Sequence, residues 1–392
     1  MKKFILYIIV LLSSTPLLAQ SNLAELLSTI EENNTTLQAL RQQGEADKLE
    51  NKSGIALSNP EVGFNYLWGS PNEIGNRTDF SVSQTFDLAT VSGMKNRTAD
   101  EKNNLVEWQY QADRMNILLE AKQYALDLIY YNALHEEFRL RLQHAEIIAE
   151  GYKKRMDKGD VSILEYNKVR LNLATVQGEL AKINVERKAL SKQLKRLNGG
   201  HEISLDDAQF PLIALSPSFE DWYAQAEQQN PILGYVKQEI EVSKRQVSLS
   251  KAESLPQISV GYMSEKVVGQ DYQGVSAGIT IPLWENKNRV KQAKAALQAA
   301  EAQAADSKQQ FYSQVQILYD RTVGLKTTAE SYREILTTAN SSELLRKALD
   351  AGEISLLEYI VEIGLYYDTM SQALEAERDY QQAFAELSAV EL

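Results

Sequence analysis

The chain has 392 residues, no cysteine and a formal net charge of −12, from 41 Lys and Arg against 53 Asp and Glu. The lack of cysteine excludes disulfides, thiolate metal sites and N-terminal cysteine lipidation. The acidic balance argues against a nucleic-acid footprint.

The chain opens MKKFILYIIVLLSSTPLLAQ: two lysines, an apolar run from Phe4 to Leu12, then small residues. This is the pattern of a secretory signal, too short and wrongly flanked for a spanning helix. Cleavage is expected after Ala19, which removes Lys2 and Lys3 and leaves 39 − 53 = −14. No later stretch approaches the ~18 consecutive apolar residues that a membrane helix needs.

Two alternating segments follow a short first helix. Val62, Phe64, Tyr66 and Trp68 share one face against Gly63, Asn65 and Leu67. Phe80, Val82 and Phe86 alternate with Ser81, Ser83 and Thr85. This period of two predicts a β-hairpin around the polar loop Gly69–Thr78. A soluble sandwich shows the same alternation. The small polar residues on the second face suit a wet lumen instead, and Trp68 and Tyr66, like Trp284 further on, suit membrane interfaces.

From Lys95 to Glu150 there is neither Gly nor Pro. A helix over that stretch would be about 84 Å long, so an elongated molecule is expected rather than the two or three globular domains that length alone suggests. The helix ends at MDKGDVSILEY, residues 156–166. Gly159 can take the left-handed conformation that ends a helix. Ser162 and Glu165 form the S-x-x-E capping box that starts the next one, with Val161 and Tyr166 at staple positions.

Gly199, Gly200, Pro211 and Pro217 then mark a joint, and the pattern begins again. Residues 349–359 read LDAGEISLLEY, identical to the first corner at six of eleven positions and offset by 193. Gly352, Ser355, Glu358, Ile354 and Tyr359 repeat the corner chemistry. Asn34-Thr35-Thr36-Leu37 matches Asn230-Pro231-Ile232-Leu233, and Pro60 matches Pro256, both at offset 196. Lys95-Asn96-Arg97 matches Lys287-Asn288-Arg289 at offset 192. Ile258, Val260 and Tyr262, then Val275, Ala277, Ile279 and Ile281, predict a second hairpin around the loop Val267–Gln273. The Ala-rich stretch Lys287–Asp306 permits close helix approach in a coiled-coil hairpin, and from Leu283 to the end there is no Pro.

The chain is therefore two copies of a helix–strand–strand–helix–helix unit. The expected organisation is a signal peptide at 1–19, a first repeat at 20–200, a linker at 201–217 and a second repeat at 218–392. The β-hairpins are placed at about 61–87 and 257–282, and the helical hairpins at about 95–198 and 287–390. Four strands cannot close a barrel, and open edges are not tolerated in lipid. Three copies would supply twelve strands, a plausible barrel.

The duplicated unit, the Asn-Pro starts at Asn59-Pro60 and Asn230-Pro231, and the Gly-x-x-Ser-x-x-Glu corners resemble the TolC-like outer membrane efflux proteins of Gram-negative bacteria. The resemblance covers essentially the whole mature chain. Asn59-Pro60-Glu61-Val62, Gln84-Thr85-Phe86-Asp87-Leu88 and Gly93-Met94-Lys95 look like the heavy-metal-efflux branch. The resemblance implies a mainly α fold with a small β membrane part: a homotrimer with a twelve-stranded outer-membrane barrel leading into a periplasmic α-helical tunnel. It also implies that the corners form the tunnel tip, where a periplasmic adaptor of an inner-membrane pump docks. Gly159, Asp160, Ser162, Gly352, Glu353 and Ser355 are then the expected contact residues. The family's tip often carries two acids three residues apart after the second corner. Here Glu358 matches the first, Val361 occupies the second, and the next acid is Glu362.

Glu165 and Glu358 carry two readings, a structural cap and a gate whose charge faces a narrow lumen. Glu362 is not needed for the cap and is the purer gate candidate. Asp160 and Glu353 read either as ordinary turn residues or as adaptor contacts. His135, His144 and His201 are the only histidines and read as solvated helix surface. The methionines (94, 115, 156, 263 and 370 after the signal) do not cluster. No phosphate loop, nucleophile elbow or HExxH stands out. Catalysis, a resident metal and a cofactor are not expected. The function expected is passive export through an outer-membrane duct, with a type I protein-secretion outlet as the alternative in the same fold. A periplasmic coiled-coil adaptor is the rival class, and the paired β-hairpins count against it.

Overall fold

The computed structural model describes residues 16–339 and 342–392. The signal segment lies outside the described residues, apart from residues 16–19, which open the first helix. In chain order the elements are α1 (Pro16–Asn33), α2 (Thr35–Asn51), β1 (Glu61–Leu67), β2 (Arg77–Phe86), α3 (Leu88–Val91), α4 (Met94–Asp157) and α5 (Ile163–Leu197). The second half holds α6 (Phe219–Gln229), α7 (Pro231–Glu253), β3 (Gln257–Val267), β4 (Gln270–Thr280), α8 (Arg289–Thr338), α9 (Ser342–Ala351) and α10 (Leu356–Leu387). None of these helices is long and apolar enough to cross a membrane.

The duplication is visible in the helix starts. Asn34 separates α1 from α2, and its Oδ1 accepts the Leu37 N–H at 2.9 Å. Asn230 does the same between α6 and α7, accepting the Leu233 N–H at 2.9 Å. Each Asn satisfies a backbone donor that the first turn of a helix leaves unpaired. Pro231 follows at the first helical position, where its missing N–H costs nothing.

The chain forms two compact units, each drawing on both repeats. One takes the chain up to Gln38, then Asp113–Gln229 and Tyr312–Leu392; the other takes Ala39–Ala112 and Asn230–Phe311. In the first, Leu23, Leu26 and Ile30 of α1 pack on Ala125, Leu126 and Ile129 of α4, with Leu194 and Leu197 of α5 and Ala385 of α10. Alanines at 121, 125 and 385, all fully buried, let the helices approach closely, as small residues do.

The second unit contains the sheet, four antiparallel strands in the order β1-β2-β3-β4. The register puts Val62 opposite Val82, Val82 opposite Tyr262 and Tyr262 opposite Val275. Phe64 and Phe80 lie on that face too, as do Phe86, Ile258 and Ile279. The face predicted from alternation is thus largely apolar, interrupted at Gln84 and giving way to Ser264, Gln273, Lys266 and Asp271 toward the hairpin ends. Much of it lies exposed in the single chain: Val62 is 67% exposed, Phe64 66% and Val275 90%. The opposite face brings Gly63, Ser81, Met263 and Gly274 into one row and Ser83, Gly261 and Ser276 into another. The outer edges of β1 and β4 have no partner strand among the described residues.

One predicted loop is corrected. The second hairpin does not turn over Val267–Gln273; β3 runs to Val267 and β4 starts at Gln270, leaving Val268 and Gly269 between them. Asp271 and Tyr272 are polar but belong to the ladder, paired with Lys266 and Glu265. Polarity near the end of an exposed strand carries no information on where pairing stops.

Candidate functional site

The two corners share one backbone closure and one capping box. At the first, the Gly159 N–H donates to Met156 O at 2.9 Å and the Asp160 N–H to Arg155 O at 2.9 Å. At the second, the Gly352 N–H donates to Leu349 O at 3.0 Å and the Glu353 N–H to Ala348 O at 2.9 Å. These paired bonds are the Schellman closure of a helix, which needs a positive φ at its glycine. Gly159 has φ +81 and Gly352 φ +75. Asp160 and Glu353 hold the next position, with exposed side chains.

The following helices start with complete capping boxes. Glu165 N–H donates to Ser162 Oγ at 3.2 Å, and Ser162 N–H to Glu165 Oε2 at 2.9 Å. Glu358 N–H donates to Ser355 Oγ at 3.2 Å, and Ser355 N–H to Glu358 Oε2 at 2.7 Å. Each carboxylate is held below its ordinary range, first by the serine N–H and then by the serine hydroxyl. The caps therefore employ Glu165 and Glu358 as anions, and both side chains remain exposed.

The structure also brings the two corners together. Tyr152, Val169 and Leu356 form one buried cluster, with Val161, Tyr166 and Ile360 packed on it. Val161 and Tyr166, the predicted staple pair, both enter it. Beyond the second corner, α10 buries Leu356, Tyr359 and Ile363 and leaves Leu357, Glu358, Val361, Glu362 and Leu365 exposed. Glu358, Val361, Glu362 and Leu365 follow helical spacing along one face. Glu362 has no part in the capping box, whose carboxylate is that of Glu358.

Two histidines read as solvated surface are partly buried. His135 is 24% exposed, and its pKa is lowered by burial and then by the Arg187 charge. His144 Nδ1 lies 3.1 Å from Tyr367 Oη. Sequence reasoning missed the feature beside it. Arg141, 5% exposed, lies between the rings of Phe138 and Tyr367, 4.3 and 4.4 Å from their centroids. Its guanidinium donates to Tyr367 O at 2.8 Å, Ser371 Oγ at 3.1 Å and Glu137 Oε1 at 3.1 Å. A buried cation so fully partnered clamps α10 onto α4 five residues beyond Glu362. The only local signal was an Arg three residues after a Phe on a helix.

Residues 222–390 match the family described as outer membrane efflux protein. A curated relative, the alkaline protease secretion protein AprF of Pseudomonas aeruginosa, is 23% identical over 91% of this chain and 81% of its own length. Among solved structures, a membrane protein from Pseudomonas aeruginosa aligns with a TM-score of 0.76 at 15% identity, covering 94% of this chain and 93% of that one. The CmeC outer membrane channel of Campylobacter jejuni aligns with a TM-score of 0.73 at 14% identity, covering 94% and 85%.

Proposed function

We propose that this chain is the outer-membrane exit duct of a tripartite export system, a reading supported by the match of residues 222–390 to the outer membrane efflux protein family and by a fold shared with the CmeC outer membrane channel. The observation that carries this reading is the sheet. It has one largely apolar face exposed in the single chain, an opposite face of Ser, Thr and Gly that becomes charged at Arg77, Asp79 and Glu265 toward the hairpin ends, and two edges without a partner strand among the described residues. Water would leave the apolar face and both edges uncompensated, whereas lipid accepts the face but not the edges. Three copies joined β1 to β4 would satisfy both as a twelve-stranded barrel. Trp68 at the hairpin end, 80% exposed, and Trp284 at the helix end, 81% exposed, are suited to the two membrane interfaces.

On this reading the helical hairpins continue the barrel as a periplasmic tunnel, and transport is passive flow of small molecules or metal ions delivered by an inner-membrane pump. The corners, through Gly159, Asp160, Ser162, Gly352, Glu353 and Ser355, meet the periplasmic adaptor. Glu362, with the capping carboxylates Glu165 and Glu358, supplies the charge of the gate. The AprF relative favours a second reading in the same fold, an outlet for a secreted protein.

Membrane fractionation followed by mass measurement in detergent tests the assembly. The expected species is an outer-membrane particle of three chains. A soluble periplasmic monomer overturns the proposal.

A further inference from the structure

Near its C-terminal end α5 carries Arg187, Lys188, Lys192, Lys195 and Arg196, in a chain with net charge −12. All of these but Arg196 line one open cleft of about 500 Å³, walled by Leu128 and Asn132 of α4 and by residues 202–206 of the following segment. That volume suits a small ligand. Basic residues in the last turn of a helix need no ligand to explain them, because they complement the helix dipole. Arg187 and Lys188 lie more than two turns from that end, so the dipole does not account for them.

The arginine is also held in place. Asn132, 4% exposed, donates through Nδ2 to Leu205 O at 2.9 Å and to Asp207 O at 3.0 Å. Its amide orientation is thereby set, and Oδ1 accepts from Arg187 Nε at 2.7 Å. The two Nη groups of Arg187 have no protein partner among the described residues. Lys188 and Lys192 likewise have none. Lys195 is paired with Glu202, and Asp206 is the other carboxylate of the wall.

We propose that this cleft binds a small oxyanion ligand, a carboxylate or phosphate. Arg187 presents its planar fork to two oxygens, and Lys188 and Lys192 neutralise the charge. A guanidinium held through Nε alone leaves the pair of donors that matches such a group. Glu202 and Asp206 at the wall repel an extended polyanion, which restricts the ligand to a small one. The cleft is separate from the corners and does not depend on how the duct is gated.

The test is isothermal titration of the purified full-length assembly with inorganic phosphate and, separately, with succinate. At least one should bind saturably, and the tighter of the two identifies the group preferred. Arg187→Lys keeps the charge but removes the fork and should weaken binding about tenfold. Lys188→Gln with Lys192→Gln, both at exposed positions, should weaken it at least as much. Arg196→Gln deletes a charge outside the cleft, where the side chain bonds Glu120 at 2.6 Å, and should leave the affinity within about twofold of the parent. Absence of saturable binding to either probe overturns the proposal, as does equal weakening by Arg196→Gln. Unchanged binding in Arg187→Lys, or in the double lysine variant, overturns it too.

Discussion

Replacing Gly159 by Ala isolates the backbone cost of a corner. A Cβ added at Gly159 meets no atom within 4 Å, so the substitution creates no clash and removes no contact. What remains is φ +81, which costs an L-residue about 1–2 kcal/mol. The same substitution at Gly151 runs the other way. That glycine lies inside α4, a Cβ there also meets nothing within 4 Å, and Ala is favoured over Gly in a helix by about 0.5–1 kcal/mol. Two chemically identical changes, eight residues apart, should therefore move the first corner in opposite directions. Native-state hydrogen exchange over residues 153–170 of the assembled protein reads both. Gly159→Ala should raise the local opening constant about 5- to 30-fold, and Gly151→Ala should lower it. Gly159→Asn should fall between Ala and the parent, because Asn tolerates the left-handed conformation. Gly352→Ala, at φ +75 and equally free of contacts, should reproduce Gly159→Ala at the second corner. If Gly159→Ala exchanges like the parent, the corner does not depend on a positive φ and the helix-closure argument fails.

The remaining predictions concern the carboxylates and their caps. Ser162→Ala and Ser355→Ala each remove the acceptor of a first-turn N–H and should cost about 1 kcal/mol locally, with equal effect because the boxes match; unequal effects would break the equivalence of the repeats. Glu165 and Glu358 have folded pKa values below their ordinary ones, so their contribution is complete above the ordinary carboxylate value of about 4.3 and is lost as pH falls through the lowered one. Corner exchange, corrected for the intrinsic rate, should rise on acidification in the parent but stay level in the Glu165→Gln and Glu358→Gln variants; a level parent profile refutes the ionised box. Glu362→Gln leaves the Ser355–Glu358 box intact and should weaken cation selectivity and divalent block in single-channel recordings, with trimer yield unchanged. Identical recordings would place Glu362 away from the lumen.

Local chemistry made most of the architecture readable from the chain alone. A positive-φ glycine, a serine and a glutamate at fixed spacing specify a helix corner whatever surrounds it, and two such corners 193 residues apart specify a duplication. Strand faces were readable for the same reason: side chains alternate with a period of two, so Val62, Phe64, Val82 and Val275 had to share a surface once the strands paired. Pairing itself, and contacts between distant segments, have no local signature. The two-residue turn at Val268–Gly269 depends on how far β3 and β4 keep their ladder, which polar residues on an exposed strand do not reveal. The joining of both corners in the Tyr152–Val169–Leu356 cluster, the Arg141 clamp on α10 and the hold of Asn132 on Arg187 link residues 55 to more than 200 positions apart. Only the tertiary structure decided these, because a buried polar group is satisfied by whichever partner the packed chain brings within hydrogen-bonding distance, and sequence spacing does not encode that proximity.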